Sequence, residues 1–166
     1  MEPDSLYRDI LLRHQRDPHN FGTLPEHTHT SKGINAMCGD RLQLEIDYRD
    51  DQLVAVRFSG EGCTVAIASA SIMSDMVVGQ ARPAIDALAN RFARFIEGDD
   101  CHEKSLGDLR AFAELRHQAS RRKCALLPWA ALRAALTGAV VATTECTGLG
   151  GLGSRDEIHI ADSENS

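Results

Sequence analysis

The chain has 166 residues, and its 18 Lys and Arg stand against 24 Asp and Glu for a formal charge of −6. That balance lacks the cationic surplus a phosphate backbone requires, so nucleic-acid binding is not expected. The length suits one domain, since a chain of this size buries about two-thirds of the surface it exposes when unfolded. No window approaches the roughly 18 apolar residues of a membrane span, and Met1-Glu2-Pro3-Asp4 does not open a secretory signal. A cytoplasmic protein is expected, and in that compartment five cysteines point to metal ligands or reactive thiols before disulfides.

Asp4 to about Arg16 reads as a helix, with Asp4 or Ser5 as N-cap and Leu6, Ile10 and Leu11 on one side, ended by Asp17-Pro18. From His19 to Met37 there is no periodicity, which predicts a long functional or mobile loop leading to Cys38. Leu42, Leu44, Ile46 and Tyr48 alternate with polar residues, and Val54, Val56 and Phe58 do so again after a turn over Arg49–Gln52. This is an antiparallel hairpin, broken by Gly60-Glu61-Gly62 just before Cys63. Thr64 to Val78 predicts a helix stopped by Gly79, so Cys63 sits at a helix N-terminus. Pro83 opens another helix that closes at Gly98, and Asp108 caps a shorter one to about Arg116. Pro128 cannot donate to the carbonyl of Cys124, which predicts a helix starting near Cys124 and running through Trp129, Leu132 and Leu136, past Gly138 toward Glu145. The domain is expected over residues 1–146, and residues 147–166, Gly-rich and then polar, as a disordered tail.

The hairpin carries Cys38-Gly39-Asp40 at its start and Cys63 just beyond its end, which brings these groups to one edge. A thiol at a helix N-terminus or near cations has a lowered pKa, and Cys124 follows Arg121, Arg122 and Lys123. Cys38, Asp40, Cys63 and Cys124 would complete a tetrahedral zinc shell of net charge −2, which the basic run could offset. Spacing alone weighs this equally against buried thiols acting as small hydrophobes and an Asp in an ordinary turn.

Several runs together carry a resemblance: Leu6-Tyr7-Arg8, Asp17-Pro18-His19-Asn20-Phe21-Gly22, Cys38-Gly39-Asp40-Arg41, Gly60-Glu61-Gly62-Cys63, Ala66 to Ser71, and Lys123 to Trp129. In order and spacing they resemble the SufU branch of the NifU/IscU-like iron–sulfur cluster assembly proteins over residues 4 to about 140. The IscU branch is similar but carries His where this chain has Lys123, and a shorter segment between the second and third cysteines. Arg121 also resembles a basic residue of the SufU branch. Ala36-Met37 and Pro128 depart from the family pattern without removing a ligand.

The resemblance implies a compact α+β single domain with a small antiparallel sheet packed against helices. It implies zinc held by Cys38, Asp40, Cys63 and Cys124, with Arg121 and Lys123 tuning charge or meeting a partner. The implied role is a sulfurtransferase-like acceptor of persulfide sulfur from a SufS-like, pyridoxal-phosphate cysteine desulfurase, passing it to downstream iron–sulfur assembly proteins. Cys38 would be the acceptor thiol, freed from zinc when the desulfurase supplies a replacement ligand. Two alternatives stand beside it: a scaffold on which a [2Fe–2S] or [4Fe–4S] cluster is built and transferred, and a zinc-stabilised interaction module without catalytic function. Cys101, His102 and Cys146 read as incidental, as do His14, His19, His27 and His29, and no signature orients a His for a Cys-His nucleophilic pair.

Overall fold

The computed structural model describes residues 3–100 and 103–144. Helix α1 (Pro3–Arg16) precedes three strands, β1 (His29–Asn35), β2 (Asp40–Arg49) and β3 (Gln52–Glu61). Helices α2 (Thr64–Val77) and α3 (Arg82–Ile96), two 3-10 segments (Glu103–Ser105 and Gly107–His117), α4 (Ala119–Thr137) and a short β4 (Val141–Thr143) complete it. The expected hairpin is β2–β3, with Leu44 opposite Phe58 and Ile46 opposite Val56, all four buried. Asp50 and Asp51 both take positive φ at its turn, the conformation that matches the right-handed twist of the strands.

The sheet is wider than that hairpin. Its order is β3-β2-β1-β4, with β1 antiparallel to β2 and β4 parallel to β1, so the sheet is mixed within the expected α+β class. Strand β1 lies inside the segment expected to be a loop. Its inward positions are Ser31, Gly33 and Asn35, so no apolar alternation marks it. Those small and polar residues are there because α4 lies directly on the strand. A Cβ on Gly33 would come within 3.2 Å of Ala131 and Leu127, and Ser31 Oγ donates to the carbonyl of Ala131 at 2.5 Å.

The helices form the second layer, with α4 against β1 and β2, and α2 against α4 and β3. Ser69 Oγ on α2 donates to the carbonyl of Ala125, and Trp129 Nε1 donates back to Ser69 Oγ. Phe92 on α3 meets Phe112 and Trp129 with ring centroids 5.5 and 5.7 Å apart, so the segment between Cys63 and Cys124 builds much of the aromatic core. Contrary to the expectation from Pro128, α4 starts at Ala119 and passes through the proline. An interior proline costs about 3 kcal/mol, but every residue from Cys124 to Leu132 is buried, and that apolar contact outweighs it. The helix also stops earlier than expected. Gly138 takes a left-handed φ of 82°, its N–H and that of Ala139 cap the last turn, and the chain turns into β4. The expected tail, with Cys146, and the pair Cys101-His102 fall outside the described residues.

Candidate metal and thiol site

Cys38 occupies the four-residue turn Ala36–Gly39 that joins β1 to β2, not the end of a long loop. Asn35 and Asp40 are paired in the ladder on either side of it, and the N–H groups of Cys38 and Gly39 donate to the carbonyls of Asn35 and Ala36. Gly39 takes a φ of 73°, which a residue without Cβ reaches without strain. The turn holds Cys38 exposed to solvent beside Met37, which is 82 % exposed.

Asp40 begins β2 and is fully buried. Its Oδ1 accepts the backbone N–H of Cys63 at 2.8 Å, tying the end of β3 and the start of α2 to β2. That approach depends on Gly60: at its φ of 117°, a Cβ would stand 2.1 Å from the carbonyl oxygen of Arg41. Oδ2 of Asp40 has no hydrogen-bond partner. A buried carboxylate oxygen left so is costly. One ligand atom each from Cys38, Asp40 and Cys124 lies within 4.8 Å of the others. Cys63, the N-cap residue of α2 as expected, reaches the group by contact with Cys124 and through its N–H to Asp40. The chemistry of this donor set, three sulfurs and one orphaned carboxylate oxygen, fits a zinc ion or an iron–sulfur cluster.

The thiols differ in their hold on protons. Cys63 is lowered to about 6, first by the Cys124 S–H beside it and then by the backbone amides of Ala66 and Val65 at the start of α2, against burial and the charge of Asp40. Cys124 is pushed up, first by Cys63, then by burial, and further by Asp40 and Cys38. This reverses the expectation of a helix-start thiolate at Cys124: the residue sits a full turn inside α4, away from its positive end, and is fully buried. Its S–H has the carbonyl of Ser120 at 3.5 Å as a further acceptor. Within the pair Cys63 leans toward the thiolate and Cys124 toward the thiol, and a cation would displace the remaining proton.

Sequence reasoning missed Asn35. It is fully buried, and its Nδ2 donates to Cys124 Sγ at 3.7 Å, a contact that orients the sulfur. Only its place three residues before Cys38 marks it in the sequence. Of the two basic residues, Arg121 is exposed on the first turn of α4, and Lys123 is half-buried, with its carbonyl accepting from Thr144 Oγ1.

Residues 6–125 match the NifU-like N terminal domain family. The chain is 32 % identical over 132 residues to an iron–sulfur cluster assembly scaffold protein IscU of Streptococcus pyogenes serotype M1, covering 79 % of this chain and 82 % of that one. It is also 32 % identical over 130 residues to the zinc-dependent sulfurtransferase SufU of Bacillus subtilis strain 168, covering 78 % and 88 %. Among solved structures it resembles a Fervidobacterium islandicum AW-1 protein described as an iron–sulfur cluster assembly scaffold for the SUF system, with a TM-score of 0.69 and 26 % identity over 81 % of this chain and 99 % of that one. A mixed sheet under helices with a thiol-rich edge, and a family match across most of the length, lead to one conclusion: the chain belongs to the NifU/IscU-like family of iron–sulfur cluster assembly proteins.

Proposed function

We propose that the chain is a zinc-dependent sulfur acceptor in iron–sulfur cluster assembly, with Cys38, Asp40, Cys63 and Cys124 as zinc ligands and a cysteine desulfurase as sulfur donor. The observation that carries this reading is fully buried Asp40, with Oδ2 orphaned, grouped with the thiols of exposed Cys38 and buried Cys124, while Cys63 joins through its contact with Cys124 and its N–H to Asp40. Zinc, when bound, supplies the positive charge that keeps buried thiolates deprotonated. Cys38 is the acceptor, because its turn presents it to solvent while Cys124 is enclosed. In the transfer, the Cys38 thiolate attacks the outer sulfur of the donor's cysteine persulfide. The S–S bond of the donor breaks, a new S–S bond forms on Cys38, and the donor leaves as a thiolate, with no net change of oxidation state. Arg121 and Lys123, at the start of α4, set the local charge, and Lys123 stands where the similar IscU branch carries His. The protein passes sulfur on to further assembly proteins and folds as one domain over residues 1–146.

A test combines metal analysis of the purified protein with mass spectrometry after incubation with desulfurase and cysteine. Stoichiometric zinc and a one-sulfur mass gain on Cys38, absent in Cys38→Ser, are expected; absence of both zinc and mass gain rejects the reading. The second reading is a cluster scaffold, favoured by the scaffold named among relatives at the same identity. It requires a visible-absorbing cluster after anaerobic reconstitution that transfers intact to an apo-acceptor. A Cys38→Ser protein that stays folded with zinc yet takes no sulfur excludes a metal serving structure alone.

A further inference from the structure

At the other end of α2 is a second group of metal-ligating side chains that the thiol site does not use. Asp75 is three turns along the helix from Cys63, on the order of 18 Å at 1.5 Å per residue. His14 comes from the last turn of α1, His19 from the loop after it, and Asp108 from the 3-10 segment Gly107–His117. Sequence reasoning treated the histidines as incidental surface residues, but His14 is buried and its ring lies 4.7 Å from that of His19, tilted by 54°. One ligand atom each from His14, His19 and Asp75 lies within 4.8 Å of the others.

The surrounding hydrogen bonds hold these side chains in place. His14 Nδ1 is engaged by Ser71 Oγ at 2.7 Å, which also accepts the backbone N–H of His19, so His14 presents Nε2, 3.8 Å from Asp108 Oδ2. Fixing one ring nitrogen by a hydroxyl or carboxylate is how proteins orient a metal-binding imidazole. Asp75 Oδ1 accepts from Asn20 Nδ2, which also donates to Ser74 Oγ, and Asp75 Oδ2 meets His19 Nδ1 at 2.5 Å. A surface ion pair needs one imidazole and one carboxylate. Here a second imidazole, buried and held by its own serine, lies beside the pair, and a second carboxylate, Asp108, stands within reach of that imidazole.

We propose that His14, His19 and Asp75, with Asp108 as fourth ligand, form a second metal site for a divalent cation of the zinc, cobalt or nickel class. Two imidazoles with two carboxylates suit these borderline ions; calcium and magnesium favour all-oxygen shells, and clusters require thiolates. The cation replaces the proton between His19 and Asp75, both about half-exposed and able to separate to ligand spacing. Its occupation fastens α1, the following loop and the Gly107–His117 segment to α2, whose other end carries Cys63.

The test is a cobalt titration of the full chain, untagged, reduced and stripped of metal, with metal analysis after desalting. Two equivalents are expected, one with intense thiolate charge-transfer absorption and one with only weak visible bands. His19→Ala and Asp75→Asn, both at exposed positions, lose the second equivalent and keep the first. Wild-type metal content in both variants, or a wild-type protein binding no cobalt beyond the charge-transfer equivalent, overturns the proposal. The outcome is independent of the thiol site, because the equivalent lost in the variants is counted whether or not the charge-transfer band is present.

Discussion

Replacing Asp40 by Asn separates its role as a ligand from its role in the fold. Asn keeps a carbonyl oxygen to accept the Cys63 N–H, now held at 2.8 Å, and puts an amide where the orphaned Oδ2 stands. In the metal-free protein the change replaces a buried charged oxygen without a partner by a neutral NH2 that can donate to the neighbouring sulfurs, and since the uncompensated group costs about 1–3 kcal/mol, Asp40→Asn is expected to be more stable than wild type by that order. For a chain of this length each kcal/mol corresponds to roughly 2–4 °C in Tm. Zinc acts in the opposite sense. At a free concentration 100 times its Kd a ligand stabilises by about 2.7 kcal/mol, and the variant, one ligand short, gains less than wild type. Urea midpoints of both proteins, reduced, with chelator or with buffered zinc, measure the double difference. An equal gap with and without zinc refutes ligation by Asp40. A less stable variant in chelator refutes the reading of Oδ2 as an uncompensated group.

Gly60→Ala would push its Cβ to 2.1 Å from the Arg41 carbonyl at a φ of 117°, so a loss of at least about 1–3 kcal/mol is expected; a urea midpoint within error of wild type contradicts that geometry. Cys38→Ser, at an exposed turn, should change metal-free stability by less than about 0.5 kcal/mol, and a larger loss would mean that the thiol supports the fold itself. The hydrogen bond from Arg49 holds the Asp47 carboxyl below 3.8. The unfolded chain therefore takes up that proton first, and the contribution of the pair, present at neutral pH, is lost as pH falls below 3.8. Carboxyl titration by NMR should find Asp47 below 3.8 in wild type and raised in Arg49→Gln; unchanged titration rejects the ion pair.

Several elements could be read from local pattern. The alternation in β2 and β3, the periodic apolar faces of α1 and α3, and the small apolar run of α2 placed these elements to within a few residues, and with them Cys63 at a helix start. Strand β1 escaped because its inward residues are Ser31, Gly33 and Asn35, chosen by the closeness of α4 and not by hydrophobicity. The start of α4 was misjudged because Pro128 is a local signal that burial from Cys124 to Leu132 overrides.

The sequence by itself determined the β2–β3 hairpin, the donor types and the proximity of Cys38, Asp40 and Cys63 at its edge, since a two-residue period and a short turn leave little freedom, and the α+β class came with the family resemblance that the motifs carry. Only the tertiary structure decided the rest. Pairing of β1 with β2 puts Cys38 on a four-residue turn, and packing of α4 on β1 buries Cys124 under Asn35. The same packing leaves Asp40 Oδ2 without a partner, and docking of α1 on α2 brings His14 to His19 and Asp75. These arrangements join residues far apart in the chain, and contacts of that kind are set by the shapes of packed elements, which no local period encodes.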